Sequence, residues 1–527
     1  MSLLRRSSTV TAITLASRLL GVARDAAVAA LFGTGAVADA SVAGLALPQL
    51  ARRLLGEGAV NGAVVPPVRA AEAQAGEAAA RALAGSALVA LVLAAALLAL
   101  LAALFMPGVV ALVAPGFDMD GSRAEGASFI GRLAIVCLPL MAAAGVLSAL
   151  ANASGRVALP AASPLVGNVA VLAVLGGLLL ALHAGGAGDR AALVWLGLAT
   201  IAGALGQLGV ALLAVRGGRL SPGLTSPRRW RAALAPASLR AALPILGATA
   251  PALLTTALPQ LRFIIAGAAA SGVVGGVAAL FYAGRLIELP LGLVGASAGA
   301  VLLPALAGEA RGERDASGGA GARGIEAALA LTLPAACGLA LLAGPVVGVL
   351  FRRGAFDAGA AEATTLALVT LAAGVPLQAA EKILAAIAFA HGHARLATRA
   401  ALLALLAGGI TGFATVGSLG IAGPALGLVL SSLIGLTILL TALIGHRLIR
   451  LDRAAWRRLG GIAVAALAMS LALLPLRAPV AAMVGAGGIG AWAALGAAVL
   501  FGVGVYLAVA RLAGGLDIAA LKAALKG

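Results

Sequence analysis

Residues Leu83 to Phe105 read LAGSALVALVLAAALLALLAALF, an apolar run that contains no charged residue. Crossing the hydrocarbon layer of a bilayer takes about 20 apolar residues at the helical rise, so this run is long enough to span one. Its leucine, alanine and valine do not alternate with polar residues as a barrel strand would require. The helix is the remaining solution, because it satisfies every backbone group within its own segment. The same reading holds at Leu159 to Leu182 and at Leu193 to Val215.

Working outward extends it to the whole chain. With 527 residues, 62% of them hydrophobic and 11% charged, too little polar material is present to cover a water-soluble domain. The expectation is an all-α polytopic membrane protein with about 14 transmembrane helices. The first eight spans fall near 8–31, 36–66, 83–114, 129–151, 157–182, 191–215, 238–268 and 272–305. The last six fall near 325–350, 363–390, 396–417, 420–446, 459–476 and 485–510. The basic start Met1 to Arg6 has no cleavage site after it and reads as part of a retained first helix. The Pro- and Arg-rich connection near 216–237 reads as a short surface helix or linker, and Glu309 to Gly324 reads as a flexible loop. Helices on either side of the central connection are expected to form two repeats, an arrangement used by transporters.

An even number of spans places both termini on one side. If that side is the cytoplasm, most loop arginines and lysines collect there, from Arg5 and Arg6 through Arg156, Arg229 and Arg458 to Lys526. Arg123, Arg190, Arg352, Arg353 and Arg477 fall on the opposite face. The formal net charge of +18 is therefore an orientation signal and a match for anionic phospholipid headgroups. With aromatic residues at 3% and no aromatic-interleaved basic patch, nucleic acid is excluded as a partner. Cys137 and Cys337 read as small buried hydrophobes, and the four histidines form no ligand set, so no metal site is expected.

The basic residues left within spans are Arg18, Arg24, Arg52, Arg53, Arg132, Arg262, Arg285 and Lys382. A charge in the membrane interior needs a wet cavity, a partner or a route to the interface. Arg18 and Asp25 share a helical face, whereas Arg24 lies about 120° around from Arg18. Arg53 and Glu57 have the i,i+4 spacing of an ion pair, and Arg285 and Glu288 have the i,i+3 spacing. Asp39 has no basic residue at its nearest same-face positions, and Lys382, beside Glu381, is a second-lobe candidate. Were Arg18, Arg24, Arg52 and Arg285 to converge in a hydrated cavity, their guanidinium groups would hold a diphosphate through charge-assisted hydrogen bonds. Asp39 and Glu57 would then orient them.

These charges sit in a longer spaced pattern that begins with Ser17-Arg18-Leu19-Leu20-Gly21-Val22-Ala23-Arg24-Asp25, Ala38-Asp39-Ala40, Leu47-Pro48-Gln49, Arg52 and Glu57-Gly58-Ala59. It continues through Ala114-Pro115-Gly116-Phe117, Gly145 to Leu150, Tyr282-Ala283-Gly284-Arg285-Leu286-Ile287-Glu288-Leu289-Pro290 and Leu350 to Phe356. In this order the chain resembles the MurJ/MviN family of bacterial lipid II flippases, within the multidrug/oligosaccharidyl-lipid/polysaccharide exporter group. The resemblance implies fourteen helices in two lobes around a central cavity. It also implies substrate contacts by Arg18, Arg24, Arg52 and Arg285, supported by Asp39 and Glu57, while Asp25, Arg53 and Glu288 join the cavity support through the spacings given above. The domains would be an amino-terminal lobe (1–220), a linker (221–237), a segment 238–446 with the second lobe, and a final pair 447–527 carrying a lipid-tail groove.

By the same resemblance the partner is lipid II or a similar polyprenyl-diphosphate-linked glycan, with cell-wall synthesis proteins nearby. The location is the bacterial cytoplasmic (inner) membrane. No Walker A pattern, metalloprotease motif or nucleophile triad occurs, so a transporter rather than an enzyme is expected. No cofactor is implied; a membrane potential or an ion gradient would drive the cycle. Export of another lipid-linked glycan or a drug, and a non-transporting scaffold role, are the alternatives.

Overall fold

The computed structural model describes residues 3–56, 59–183, 188–222, 227–297, 319–450 and 452–515. Among the described residues all regular structure is helical. Among these described residues, ten helical stretches are long and apolar enough to cross a membrane, or twelve if each of two bent pairs is one span. Two compact units divide at Ile264 and Ile265.

The first unit contains α1 (Leu3–Phe32), α2 (Ala36–Gly44), α3 (Ala46–Gly56), α4 (Ala59–Leu104), α5 (Met106–Val113), α6 (Ser122–Ala134) and α7 (Cys137–Ala153). It continues with α8 (Ala158–His183), α9 (Asp189–Val215), α10 (Pro227–Leu234) and the first part of α11 (Pro236–Ala270). Helix α1 packs on α8, α8 on α9, and α7 on α3, α4 and α9, while α2 lies on α6. The core beneath them is built from Val64, Val68, Leu88, Met141, Leu147 and Leu150 with many alanines. Small residues let backbones approach closely, which matters in lipid because no hydrophobic force drives helix onto helix there. At Gly145 any side chain would run into the Leu55 carbonyl of α3, which gives the Gly145 to Leu150 motif its physical meaning.

Several boundaries differ from the sequence expectation. The span expected at 36–66 is broken into α2, α3 and the start of α4. The expected connection at 67–82 is helical, because alanine, glutamate and arginine favour helix there, and the chain turns only at Gly76 (φ 82°, ψ 178°). The span expected at 129–151 is the bent pair α6 and α7, which meet at 42°. The expected surface helix near 216–237 is α10.

Arginines assigned above to loops also terminate helices. Arg156 donates to the carbonyls of Ala214, Arg216 and Gly217 at the end of α9, and Arg69 donates to Ala153 at the end of α7. They satisfy orphan carbonyls and complement the negative end of the helix dipole. Arg132, exposed on α6, does related work. Pro107 has no N–H to offer the carbonyl four residues back, Ala103, and Arg132 Nε donates to that carbonyl at 3.2 Å.

The second unit holds α12 (Gly276–Ser297), α13 (Gly319–Leu341), α14 (Ala343–Phe351), α15 (Ala358–Ala390), α16 (Ala394–Leu419) and α17 (Ala422–Gly445). It ends with α18 (Arg453–Leu473), α19 (Arg477–Ala486) and α20 (Gly488–Leu512). Helix α15 packs against α12, α13 and α17, α17 lies on α16, and α18 lies on α13 and α20. The flexible loop expected at 309–324 lies outside the described residues up to 318, and 319–324 belong to α13. Tyr282, Phe351 and Phe356 are fully buried against one another, with ring centroids 5.4–5.7 Å apart. This cluster fixes α12 to α14 and its following turn, so the Leu350 to Phe356 motif serves the helix that carries Arg285.

Candidate functional site

Arg24 is the best-defined charge in the first unit. Its Nε and Nη2 donate to one oxygen of Asp25, at 3.0 and 2.7 Å, and its Nη1 donates to Asn168 Oδ1 at 2.9 Å. Asn168 projects from α8, and its amide donates to the Ser17 carbonyl of α1 at 3.0 Å. Asp25 and Asn168 are buried. A guanidinium has five N–H groups in a planar fork. Three are engaged, so among the described residues one N–H on Nη1 and one on Nη2 carry no hydrogen bond.

The other first-unit candidates are distributed around this cluster. Arg18 lies half-buried on α1, next to the Ser17 carbonyl that Asn168 holds. Arg52 lies half-buried on α3, within electrostatic reach of Cys137. Arg53 donates to Gln260 of α11. Its expected partner Glu57 lies outside the described residues. Asp39 is fully buried at the start of α2 and pairs with Arg123 of α6 at 3.4 Å. The Arg123 guanidinium also lies over the Phe117 ring, 4.5 Å from its centroid, so this carboxylate is held by a cation that charge counting had placed in a loop.

In the second unit Arg285 donates to Glu288 at 3.0 Å, the pairing that the i,i+3 spacing implied. Its guanidinium also lies 4.6 Å from the Phe281 ring centroid. Glu381 is buried on α15 with its carboxylate pressed on Gly435 of α17, where any Cβ would collide with it. Lys382 beside it is exposed. Arg458 of α18 makes a two-point pair with Glu326 of α13, Nε to Oε2 at 2.7 Å and Nη2 to Oε1 at 2.9 Å. No group of three or more metal-ligating side chains occurs among the described residues.

A family model described as "Lipid II flippase MurJ" matches residues 28–486. The chain belongs to the MurJ family. It is 34% identical over 383 residues to a probable lipid II flippase MurJ of Rhizobium tropici, covering 71% of this chain and 68% of that protein. It is 29% identical to the lipid II flippase MurJ of Burkholderia cenocepacia, covering 80% of each. Among solved structures, a lipid II flippase MurJ in an inward closed conformation aligns with a TM-score of 0.76 at 19% identity, over 95% of this chain and 98% of that one. An inward-facing MATE family transporter of the MOP superfamily aligns at 0.64 with 15% identity, over 86% of this chain and 98% of that one. At these identities the structural matches establish the shared fold.

Asn168, Gln260, Arg123 and the Glu326–Arg458 pair carry more of the polar architecture than hydropathy suggests. Asn168 and Gln260 are amides within apolar spans, and a membrane-embedded amide requires a partner. That requirement was the available signal. Arg123 and Arg458 carry no such mark, because their charge also suits a loop.

Proposed function

We propose that this MurJ-family member carries lipid II from the inner to the outer leaflet of the cytoplasmic membrane by alternating access. Family membership supports this reading, and the observation that carries it to residues is the partly engaged guanidinium of Arg24. The proposed arrangement is the family's fourteen spans in two lobes around a cavity, with the division at 1–220, 221–237, 238–446 and 447–527 and both termini cytoplasmic. Arg18, Arg24, Arg52 and Arg285 bind the diphosphate; Asp25, Asp39, Arg53, Glu57 and Glu288 set their charge and direction, and Lys382 serves the second lobe.

Asp25 and Asn168 supply the chemistry that keeps Arg24 useful. They lower the cost of holding a cation in the membrane while leaving two N–H groups for phosphate oxygens. The diphosphate then travels in a hydrated passage and its prenyl chain stays in lipid. No bond is broken. A membrane potential or an ion gradient biases the rocking step.

Leaflet-resolved transport of purified lipid II in proteoliposomes tests the reading. Neutralising Arg18, Arg24, Arg52 and Arg285 together is expected to abolish transport, and undiminished transport by that variant overturns the assignment. Transport of a drug or another lipid-linked glycan in place of lipid II would redirect the substrate.

A further inference from the structure

We propose that Asn168 is a positioning residue for Arg24, a role that rests on the reading of Arg24 as a headgroup ligand. Its two amide atoms contact α1 in two places. Nδ2 donates to the Ser17 carbonyl at 3.0 Å, and Oδ1 accepts from Arg24 Nη1 at 2.9 Å. Ser17 and Arg24 are seven residues apart, about two helical turns, so one side chain from α8 brackets the stretch that includes Arg18. Gly21 lies between these contacts; a Cβ there would stand 3.7 Å from Asn168 Nδ2.

The chemistry explains why an amide suits this position. A second carboxylate would neutralise Arg24 and compete with an anionic ligand, whereas an amide oxygen orients the guanidinium without cancelling its charge. The amide N–H is needed at the same time, because the side facing α1 presents a carbonyl. Asp25 sets one edge of the fork, and Asn168 sets the rotation about it. A displacement of α8 relative to α1 would therefore swing the remaining N–H groups of Arg24, which ties ligand contact to helix packing.

The test compares Asn168→Leu with Asn168→Asp in the full chain in detergent. The first removes both contacts; the second keeps an oxygen for Arg24 and removes the donor to Ser17. The direct readout is the rate of phenylglyoxal adduct formation at Arg24, followed by peptide mass spectrometry with Arg123 as internal reference. Asn168→Leu is expected to raise that rate several-fold, and Asn168→Asp, whose carboxylate holds the charged guanidinium at least as firmly, to leave it at or below the parent value. An unchanged rate in Asn168→Leu, or equal rates in the two variants, overturns the proposal.

Binding of purified lipid II supplies the second readout. Asn168→Leu is expected to weaken it about tenfold, and to add nothing in an Arg24→Ala background. An additional loss in that background also overturns the proposal, since Asn168 would then act elsewhere. If the adduct pattern holds while neither Asn168→Leu nor Arg24→Ala affects binding, positioning stands and the headgroup reading of Arg24 fails.

Discussion

Arg24 in the first unit and Arg458 in the second each face a carboxylate, and the two pairs are built differently. Arg458 gives Nε and Nη2 to the two separate oxygens of Glu326, the parallel fork that occupies both carboxylate oxygens at once. Arg24 gives the same two nitrogens to a single oxygen of Asp25 and turns Nη1 to a neutral amide. The first geometry joins α18 to α13. The second holds a cation in place while keeping part of its donor set available. The two pairs therefore differ in how the carboxylate is engaged, both oxygens between two helices in one and a single oxygen beside its own arginine in the other.

The largest effect should come from disturbing the open side of this comparison. Arg24→Ala is expected to lower lipid II transport about a hundredfold at matched protein level, in line with losing several charge-assisted hydrogen bonds. Arg24→Lys retains the charge without the fork and should recover only part of that loss. Arg458→Ala should leave transport per folded molecule within about twofold, its cost falling on stability. Equal transport defects in Arg24→Ala and Arg458→Ala, at equal thermal stability, would erase the distinction.

The same contrast separates what the sequence makes legible from what it conceals. Membrane-spanning helices follow from runs such as Leu83 to Phe105, because hydropathy and backbone satisfaction are local constraints. The Arg285–Glu288 pair is equally local, since i,i+3 spacing brings the two side chains together on any helix. Asp39–Arg123 and Arg24–Asn168 are different. They join residues far apart in the chain, and nothing in either segment names the other. Glu326–Arg458 was hidden further by assigning Arg458 to a loop, where its charge also satisfies the orientation rule. Helix breaks at Leu45 and Phe105 fall within apolar runs that hydropathy alone cannot divide.

Breaking the closed pair from its acidic side should have an intermediate effect. Glu326→Leu takes the two-point carboxylate away from Arg458, which is expected to cost about 2 kcal/mol after allowance for the partial exposure of Arg458. Replacing both residues with leucine should recover most of that loss, because the desolvation of two charges disappears with their attraction. Thermal unfolding in detergent reads both variants. A double variant no more stable than Glu326→Leu alone would show that Arg458 is held chiefly by packing of its stem.

The smallest effect concerns a second contact between the terminal helices and α13, and it turns on a proline. Pro334 lies inside α13 and has no N–H for the carbonyl four residues before it, Ala330. The buried Tyr506 of α20 donates its hydroxyl to that carbonyl at 2.6 Å. The hydroxyl thus replaces the missing helical donor, and Tyr506 is chemically matched to Pro334 although the two are distant in the chain. Tyr506→Phe keeps the ring among Ala465, Met469 and Leu473 but leaves the carbonyl without that donor, an expected loss of about 1 kcal/mol. Pro334→Ala restores a backbone donor, so in that background Tyr506→Phe should be nearly neutral. A thermal-unfolding double-mutant cycle measures the difference. Equal losses with and without Pro334 would mean that the hydroxyl acts independently of the proline.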